Sequence, residues 1–274
     1  MAFVFGAAED MEWVRDRLIS CFGRPEPIHA RSPIGQLVKS IISGRTRDEI
    51  SLAAYRRLVG AYPEWSDLAC ATAADIEAVI DDVTFPDVKA RHLRGALDAI
   101  AACRPDFDLT VLGGLSVAKA LAWLERLPGV GRKVSASTLN FSTLRMPAFV
   151  VDMHILRILR RFGSVPSKAD TETAYGLTME TLPDWSAADL AELHVLVKRL
   201  GQTICRADRA DCRNCPIGRR CLVAPAVSSG ERATRRQISI EASSHSAAAA
   251  RAEAAAAGGA RSALRHTAAT RKML

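Results

Sequence analysis

The sequence predicts an all-α fold. Three observations carry this. Apolar residues recur at helical spacing through most of the chain, capping side chains stand before those segments, and no stretch alternates apolar and polar residues like a half-buried strand. With 274 residues, 49% of them hydrophobic, the chain is long enough to bury a proper core.

Asp10 to Phe22 reads as an amphipathic first helix, with Trp13, Val14, Leu18 and Ile19 on its apolar side. Two prolines make Gly23 to Arg31 a connection. Ser32-Pro33 is a cap followed by proline at the first helical position, and opens a helix to about Ser43. Thr46 or Asp48 starts the next, which Tyr62-Pro63 stops. Thr72 caps a short helix with Asp75 placed for a capping box. Pro86 opens a helix through Asp87 to Cys103. Helices are expected over Ser116–Arg126, Val134–Leu144, Met153–Phe162, Thr171–Leu182 and Ser186–Ile204.

The turn between the helices of the Ser116–Leu144 stretch reads Leu127-Pro128-Gly129-Val130-Gly131-Arg132-Lys133. Two glycines at positive φ would point consecutive backbone amides one way at a helix N-terminus, a cradle for a phosphate. A helix–hairpin–helix of this kind grips the nucleic-acid backbone without reading sequence. An ordinary helical hairpin with a glycine turn is the plainer alternative.

Cys21, Cys70 and Cys103 are scattered and read as idle or buried thiols. Cys205, Cys212, Cys215 and Cys221 instead have the spacing C-x6-C-x2-C-x5-C in one loop after a helix. Four thiolates suit a tetrahedral zinc or a [4Fe–4S] cluster. A single C-x2-C knuckle favours iron–sulfur weakly. Arg206 and Arg209 lie between the first two cysteines, and Arg219 and Arg220 between the last two.

The net charge is +7, but residues 225–274 hold eight basic and three acidic residues and so supply +5 of it. A DNA-binding face on the body must then come from uneven placement of charge. Lys39-Arg45-Arg47 and Arg157-Arg160-Arg161 are candidates. The tail, rich in Ala, Ser, Gly and Arg, lacks the apolar residues needed to offset ordering and is expected to be a disordered basic arm. No apolar run reaches a membrane span, and the N-terminus lacks a basic signal-peptide start, so a soluble cytoplasmic protein is expected.

Nineteen residues after Lys133, beyond the apolar run Ala148-Phe149-Val150-Val151, comes Asp152, then Met153-His154. The hairpin, the Val-Asp-x-His segment and the cysteine spacing together resemble the endonuclease III family of helix–hairpin–helix DNA glycosylases and AP lyases, over about Ser32 to Cys221. The resemblance implies a two-lobed all-α glycosylase fold. An N-terminal helix in residues 1–31 would join a cluster lobe at 145–224, a six-helix domain would span 32–144 with its helix–hairpin–helix at 116–144, and 225–274 would be tail.

It also implies a bifunctional base-excision enzyme that removes damaged pyrimidine-type bases from double-stranded DNA, or acts on abasic sites, as a monomer. Lys133 would be the Schiff-base nucleophile and Asp152 the catalytic carboxylate, while Asp152 doubles as a helix cap. Gly129, Val130, Gly131, Arg132, Arg45, Arg206 and Arg209 would contact DNA. Cys205, Cys212, Cys215 and Cys221 would bind a [4Fe–4S] cluster, with the loop arginines on phosphates. His154 is expected to be structural or to contact a phosphate. Ile42-Ser43-Gly44-Arg45-Thr46-Arg47-Asp48 departs from the family's Leu-Ser-x-Gln-x-Thr-Asp, placing Arg45 where a glutamine enters the duplex. Val83 to Ala90 lacks the glycine of the family's segment before Lys-Ala. A non-catalytic or regulatory iron–sulfur DNA-binding protein on the same fold is the alternative reading.

Overall fold

The structure, a computed structural model, describes residues 8–224. The readings that concern residues 1–7 and 225–274 lie outside the described residues. Among those described there are eleven α-helices, one short 3-10 helix and no strands. None of these helices is long and apolar enough to cross a membrane.

The helices are α1 (Ala8–Phe22), α2 (Pro33–Ile42), α3 (Asp48–Ala61), α4 (Trp65–Cys70), α5 (Ala73–Val79), α6 (Pro86–Cys103), α7 (Val117–Leu124), α8 (Arg132–Phe141), α9 (Met153–Phe162), α10 (Thr171–Thr181) and α11 (Ala187–Thr203). Their starts follow the caps in the sequence. The Ser32 hydroxyl accepts from Gly35 N with Pro33 at the first helical position. Thr72 with Asp75 closes a capping box, and so does Ser186 with Asp189. Residues 33–141 hold seven helices rather than six. The addition is α4, six residues long and capped by no side chain, too short to show a period.

Helices α2 to α8 pack on one another, with α2 against α8 the most extensive contact; α9 packs on α11 and α10, and α1 on α11. Contacts of α10 and α11 with α8 join the two groups. A buried polar seam fixes α2 against α8. Gln36 Nε2 donates to Ser40 Oγ and to Ser137 Oγ, each at 3.1 Å, and the two hydroxyls lie 2.9 Å apart. Buried polar groups are costly unless paired, so this network specifies one register. It sets α8 with Lys133 one turn before Ser137 and facing the C-terminal end of α2.

Gly201 sets the second close approach. A Cβ there would lie 2.9 Å from His154 Cβ and 3.1 Å from Ile158 Cδ1, so α9 and α11 meet at a distance only glycine allows. This carries Asp152, the cap of α9, toward the polar side of α11.

Candidate functional site

Lys133 occupies the first turn of α8, as its place after the glycines requires. Its Nζ donates to Ser43 Oγ at 2.9 Å, at the end of α2. Burial pushes its pKa down to about 8; Asp152 works against that shift and Lys198 reinforces it. The amine is therefore partly neutral near physiological pH, the form a nucleophile needs.

Asp152 caps α9 as expected. Its Oδ1 accepts from His154 N at 2.8 Å and Ile155 N at 2.9 Å, and Val151 and Leu156 are buried beside it. Both bonds go to Oδ1, so capping leaves Oδ2 for other work. Burial would raise this carboxyl, but the Ile155 amide and Lys198 outweigh it and hold the group below the usual carboxylate range. His194 is buried and edge-on to Phe141, and its Nδ1 donates to the Val150 carbonyl at 2.7 Å. Its pKa is lowered to about 4, chiefly by burial, so it stands neutral beside the aspartate.

The sequence reading brought Lys133 and Asp152 together; the structure adds residues it missed. Lys39, placed with the surface arginines, donates instead to Ser51 Oγ at 3.0 Å and sits beside Lys133. Lys89 is only 7% exposed and donates to Thr46 Oγ1 at 2.7 Å. Burial lowers both lysines to about 8, and Lys133 is the largest charge acting on each. Lys198 donates to Asp48 Oδ1 at 2.7 Å and Gln202 to Asp48 Oδ2 at 3.3 Å. A signal existed: His194, Lys198 and Gln202 recur every four residues and so form a polar stripe along one face of α11.

The hairpin differs in detail from the expectation. Gly129 has φ +73°, and a Cβ there would meet His92 at 2.5 Å. Gly131 is extended, with φ −105°, and acts as the cap residue of α8; a Cβ there would meet open space. Only one glycine takes the left-handed conformation. The Val130 amide is spent on the Leu127 carbonyl at 3.1 Å, closing the turn. The first bonds within α8 run from Val134 and Ser135 to the Gly131 carbonyl, so the amides of Gly131, Arg132 and Lys133 have no backbone partner among the described residues.

The Arg132 side chain, expected on DNA, is committed elsewhere. It pairs with Glu125 (Nε–Oε1 2.6 Å) and Glu172 (3.2 Å), lies 4.8 Å over the Tyr175 ring, and is 18% exposed. It fastens the hairpin to α10 and leaves only its backbone amide for a phosphate. Arg157, Arg160 and Arg161 likewise donate to backbone carbonyls: Gly201 and Cys205, Ala169, and Arg206 respectively. Arg206 and Arg209 are exposed, the first paired with Asp208.

Arg45 is exposed at a loop tip with φ +54°. Its carbonyl accepts from Thr84 Oγ1 at 3.0 Å, and the Thr84 amide donates to Thr46 Oγ1 at 3.0 Å. These bonds bring up Phe85, 54% exposed and also left-handed (φ +57°). An exposed aromatic residue in strained backbone was missed by the sequence reading, which saw at this point only a missing glycine.

The four clustered cysteines fold into one loop across the C-terminal end of α9. Among the described residues no three Cys, His, Asp or Glu side chains form a group that could hold a metal ion as they stand. Burial pushes the Cys215 thiol up to about 12, with the other three cysteines adding to the shift. The surroundings nonetheless suit thiolates. The Ile217 amide favours the Cys215 anion, the Val223 and Ala224 amides favour that of Cys221, and Arg161 donates to Cys205 Sγ at 3.4 Å. Three of the four sulfurs are thus met by N–H donors, and all four lie in one another's field, chemistry that suits thiolate ligation.

An all-α body, a glycine hairpin at a helix N-terminus, and a lysine and aspartate beside it define the class of helix–hairpin–helix nucleic-acid repair proteins. The chain belongs to the HhH-GPD superfamily of base excision DNA repair proteins, whose family description matches residues 38–184. A candidate DNA glycosylase of Arabidopsis thaliana is 31% identical over 159 residues, 58% of this chain and 54% of that one, so the match spans about half of the relative. Endonuclease III of Thermotoga maritima is 29% identical over 190 residues, 69% of this chain and 82% of the relative. In fold, the chain is similar to endonuclease III in a non-covalent DNA complex (TM-score 0.67, 19% identity) and in a trapped covalent DNA intermediate (0.66, 20%). Each superposition covers 80% of this chain and 97% of the other.

Proposed function

We propose that the protein is a base-excision DNA glycosylase with AP lyase activity, acting on damaged, pyrimidine-type bases in double-stranded DNA. The observation that carries this is the Lys133 amine, lowered to about 8 and electrostatically linked to Asp152 at the hairpin. A lysine serving only to bind phosphate gains nothing from losing its charge.

In this reading residues 32–144 and 145–224 are two lobes, and DNA lies over the hairpin between them. The amides of Gly131, Arg132 and Lys133, which have no backbone partner, hold a phosphate. Arg45 and Phe85, tied together through Thr84, fill the space left when the target nucleotide rotates out of the stack. The neutral Lys133 amine attacks C1′ and the base leaves with the bonding pair and a proton. Asp152 stabilises the positive charge developing at the sugar. The amine then loses a proton as the sugar ring opens to an imine, and removal of a C2′ proton expels the 3′-phosphate. A [4Fe–4S] cluster on Cys205, Cys212, Cys215 and Cys221 would supply a rigid template that presents exposed Arg206 and Arg209 to the phosphates.

Borohydride should trap the imine with an abasic oligonucleotide as a covalent adduct. Lys133→Ala should bind DNA but give neither adduct nor nick. Asp152→Asn, which keeps a capping side chain, should fold and lose most base excision. A wild-type protein that binds the abasic duplex but never forms the adduct would refute the lyase assignment.

A further inference from the structure

The Lys198–Asp48 ion pair is not explained by the chemistry above. It joins α11 to the first residue of α3, with no part in the α2–α8 seam. Both oxygens of Asp48 are engaged from α11, Oδ1 by Lys198 at 2.7 Å and Oδ2 by Gln202 at 3.3 Å. Lys133 turns instead to the neutral Ser43 hydroxyl. A carboxylate near the nucleophile is thus held by another cation, although a direct pair with Lys133 would keep the amine charged.

We propose that Lys198 is a positioning residue for the Schiff-base lysine: it holds Asp48 away from Lys133 and adds a positive charge beside the amine, so that the amine is available neutral. This rests on the assignment of Lys133 as the nucleophile. The charged groups around Lys133 come from every helix packed near it. Lys198 on α11 favours the neutral amine, and Lys133 in turn lowers Lys39 on α2 and Lys89 on α6. Asp48 on α3 and Asp152 on α9 favour the charged amine. His194 on α11 is neutral, His154 flanks Asp152, and Glu125 just after α7 and Glu172 on α10 are paired with Arg132. Of these groups Lys198 acts on the most: its charge is felt at Lys133, Lys39, Asp48, Asp152 and His194. Asp48 is held below the usual carboxylate range; burial opposes this, and Lys198 is the largest influence lowering it.

The test reads the amine directly, without DNA. Competitive acetic-anhydride labelling followed by mass spectrometry of the Lys133 peptide gives the ionisation curve of that one amine in the intact protein. Lys198→Met should move the curve to higher pH by about half a unit or more, an about threefold smaller neutral fraction at neutral pH. Lys198→Gln, which still donates to Asp48 but is uncharged, should move it in the same direction. Lys198→Arg should restore the wild-type curve. Asp48→Asn should move it down, and Lys198→Met with Asp48→Asn should return most of the way. The acid limb of borohydride trapping should follow the labelling curve. An unmoved Lys133 curve in folded Lys198→Met and Lys198→Gln would overturn the proposal. Shifted labelling curves with no trapping in any protein would uphold the link between Lys198 and Lys133 and refute the lyase assignment instead.

Discussion

At the scale of single residues, the two hairpin glycines do different work, and substitution separates them. Gly129 needs both its positive φ and its missing Cβ, since His92 stands 2.5 Å from where a Cβ would be. Gly129→Ala should cost about 1–3 kcal/mol of stability through backbone strain and overlap. Gly131 is extended and open, so Gly131→Ala should cost less than about 1 kcal/mol, yet weaken duplex binding several-fold by placing a methyl where a phosphate approaches. Denaturant unfolding and a binding titration of both variants check this; equal stability losses would mean that Gly131 is structural as well. The sequence reading treated the two alike because spacing shows that glycine is needed, not which freedom is used. The partners of the Arg132 side chain were hidden for a related reason. Adjacency to the hairpin suggested phosphate, but Glu172 and Tyr175, about forty positions along, claim its guanidinium. The positions of Lys133 in the first turn of α8 and of Asp152 as the cap of α9 were legible because both are local features, a helix start and a cap.

At the scale of elements, α9 links the candidate site to the cysteine loop. Asp152 caps its first turn, while its last turn is fastened to the loop. The Leu222 amide donates to the Phe162 carbonyl at 3.1 Å, the Val223 amide to Arg161 O at 3.3 Å, and Arg161 NH1 to Arg206 O at 2.7 Å. A loop of this length has little core of its own, since among the described residues its buried apolar side chains are only Pro216 and Ile217. It must be stabilised from outside, and ligation by four thiolates would do so. Protein prepared without oxygen should hold about four iron atoms per chain. Oxidative loss of that iron should speed amide exchange in the loop and the last turn of α9, while α2 and α8 stay protected by the Gln36–Ser40–Ser137 seam. Stoichiometric zinc without iron would contradict the cluster assignment, and unchanged exchange would contradict the linkage. The sequence announced the capped helices and missed α4, which lacks both a side-chain cap and a full period. It also could not show that Arg157 and Arg161 point inward, because that depends on where α11 and the loop return.

At the scale of the whole molecule, the site is assembled at a cost in stability that pH should reveal. Lys39, Lys89 and Lys133 are lowered to about 8 by burial, and Lys133 is the largest charge on each of the other two. No sequence pattern announced this cluster, since its members come from α2, α6 and α8. For a lysine whose folded pKa is depressed, both states are charged below about pH 8, and the penalty is present in full. Between there and the ordinary value of 10.5 the unfolded chain binds more protons than the folded one, so stability rises with pH. His194 acts in the same direction lower down: neutral when folded but titrating near 6.5 when unfolded, it costs stability as pH falls from about 6.5 toward 4. Replacing Lys133 by methionine removes one buried charge and relieves two others. We expect Lys133→Met to be more stable than wild type at neutral pH by about 1–3 kcal/mol, less than three separate shifts would sum to because the lysines are coupled. The advantage should shrink as pH approaches 10.5, where the folded wild-type cluster is already neutral. Denaturant unfolding of the two proteins across the neutral to alkaline range measures both parts. A variant no more stable than wild type at neutral pH, or an advantage that persists undiminished in alkali, would show that the lysines are not held against their solvation.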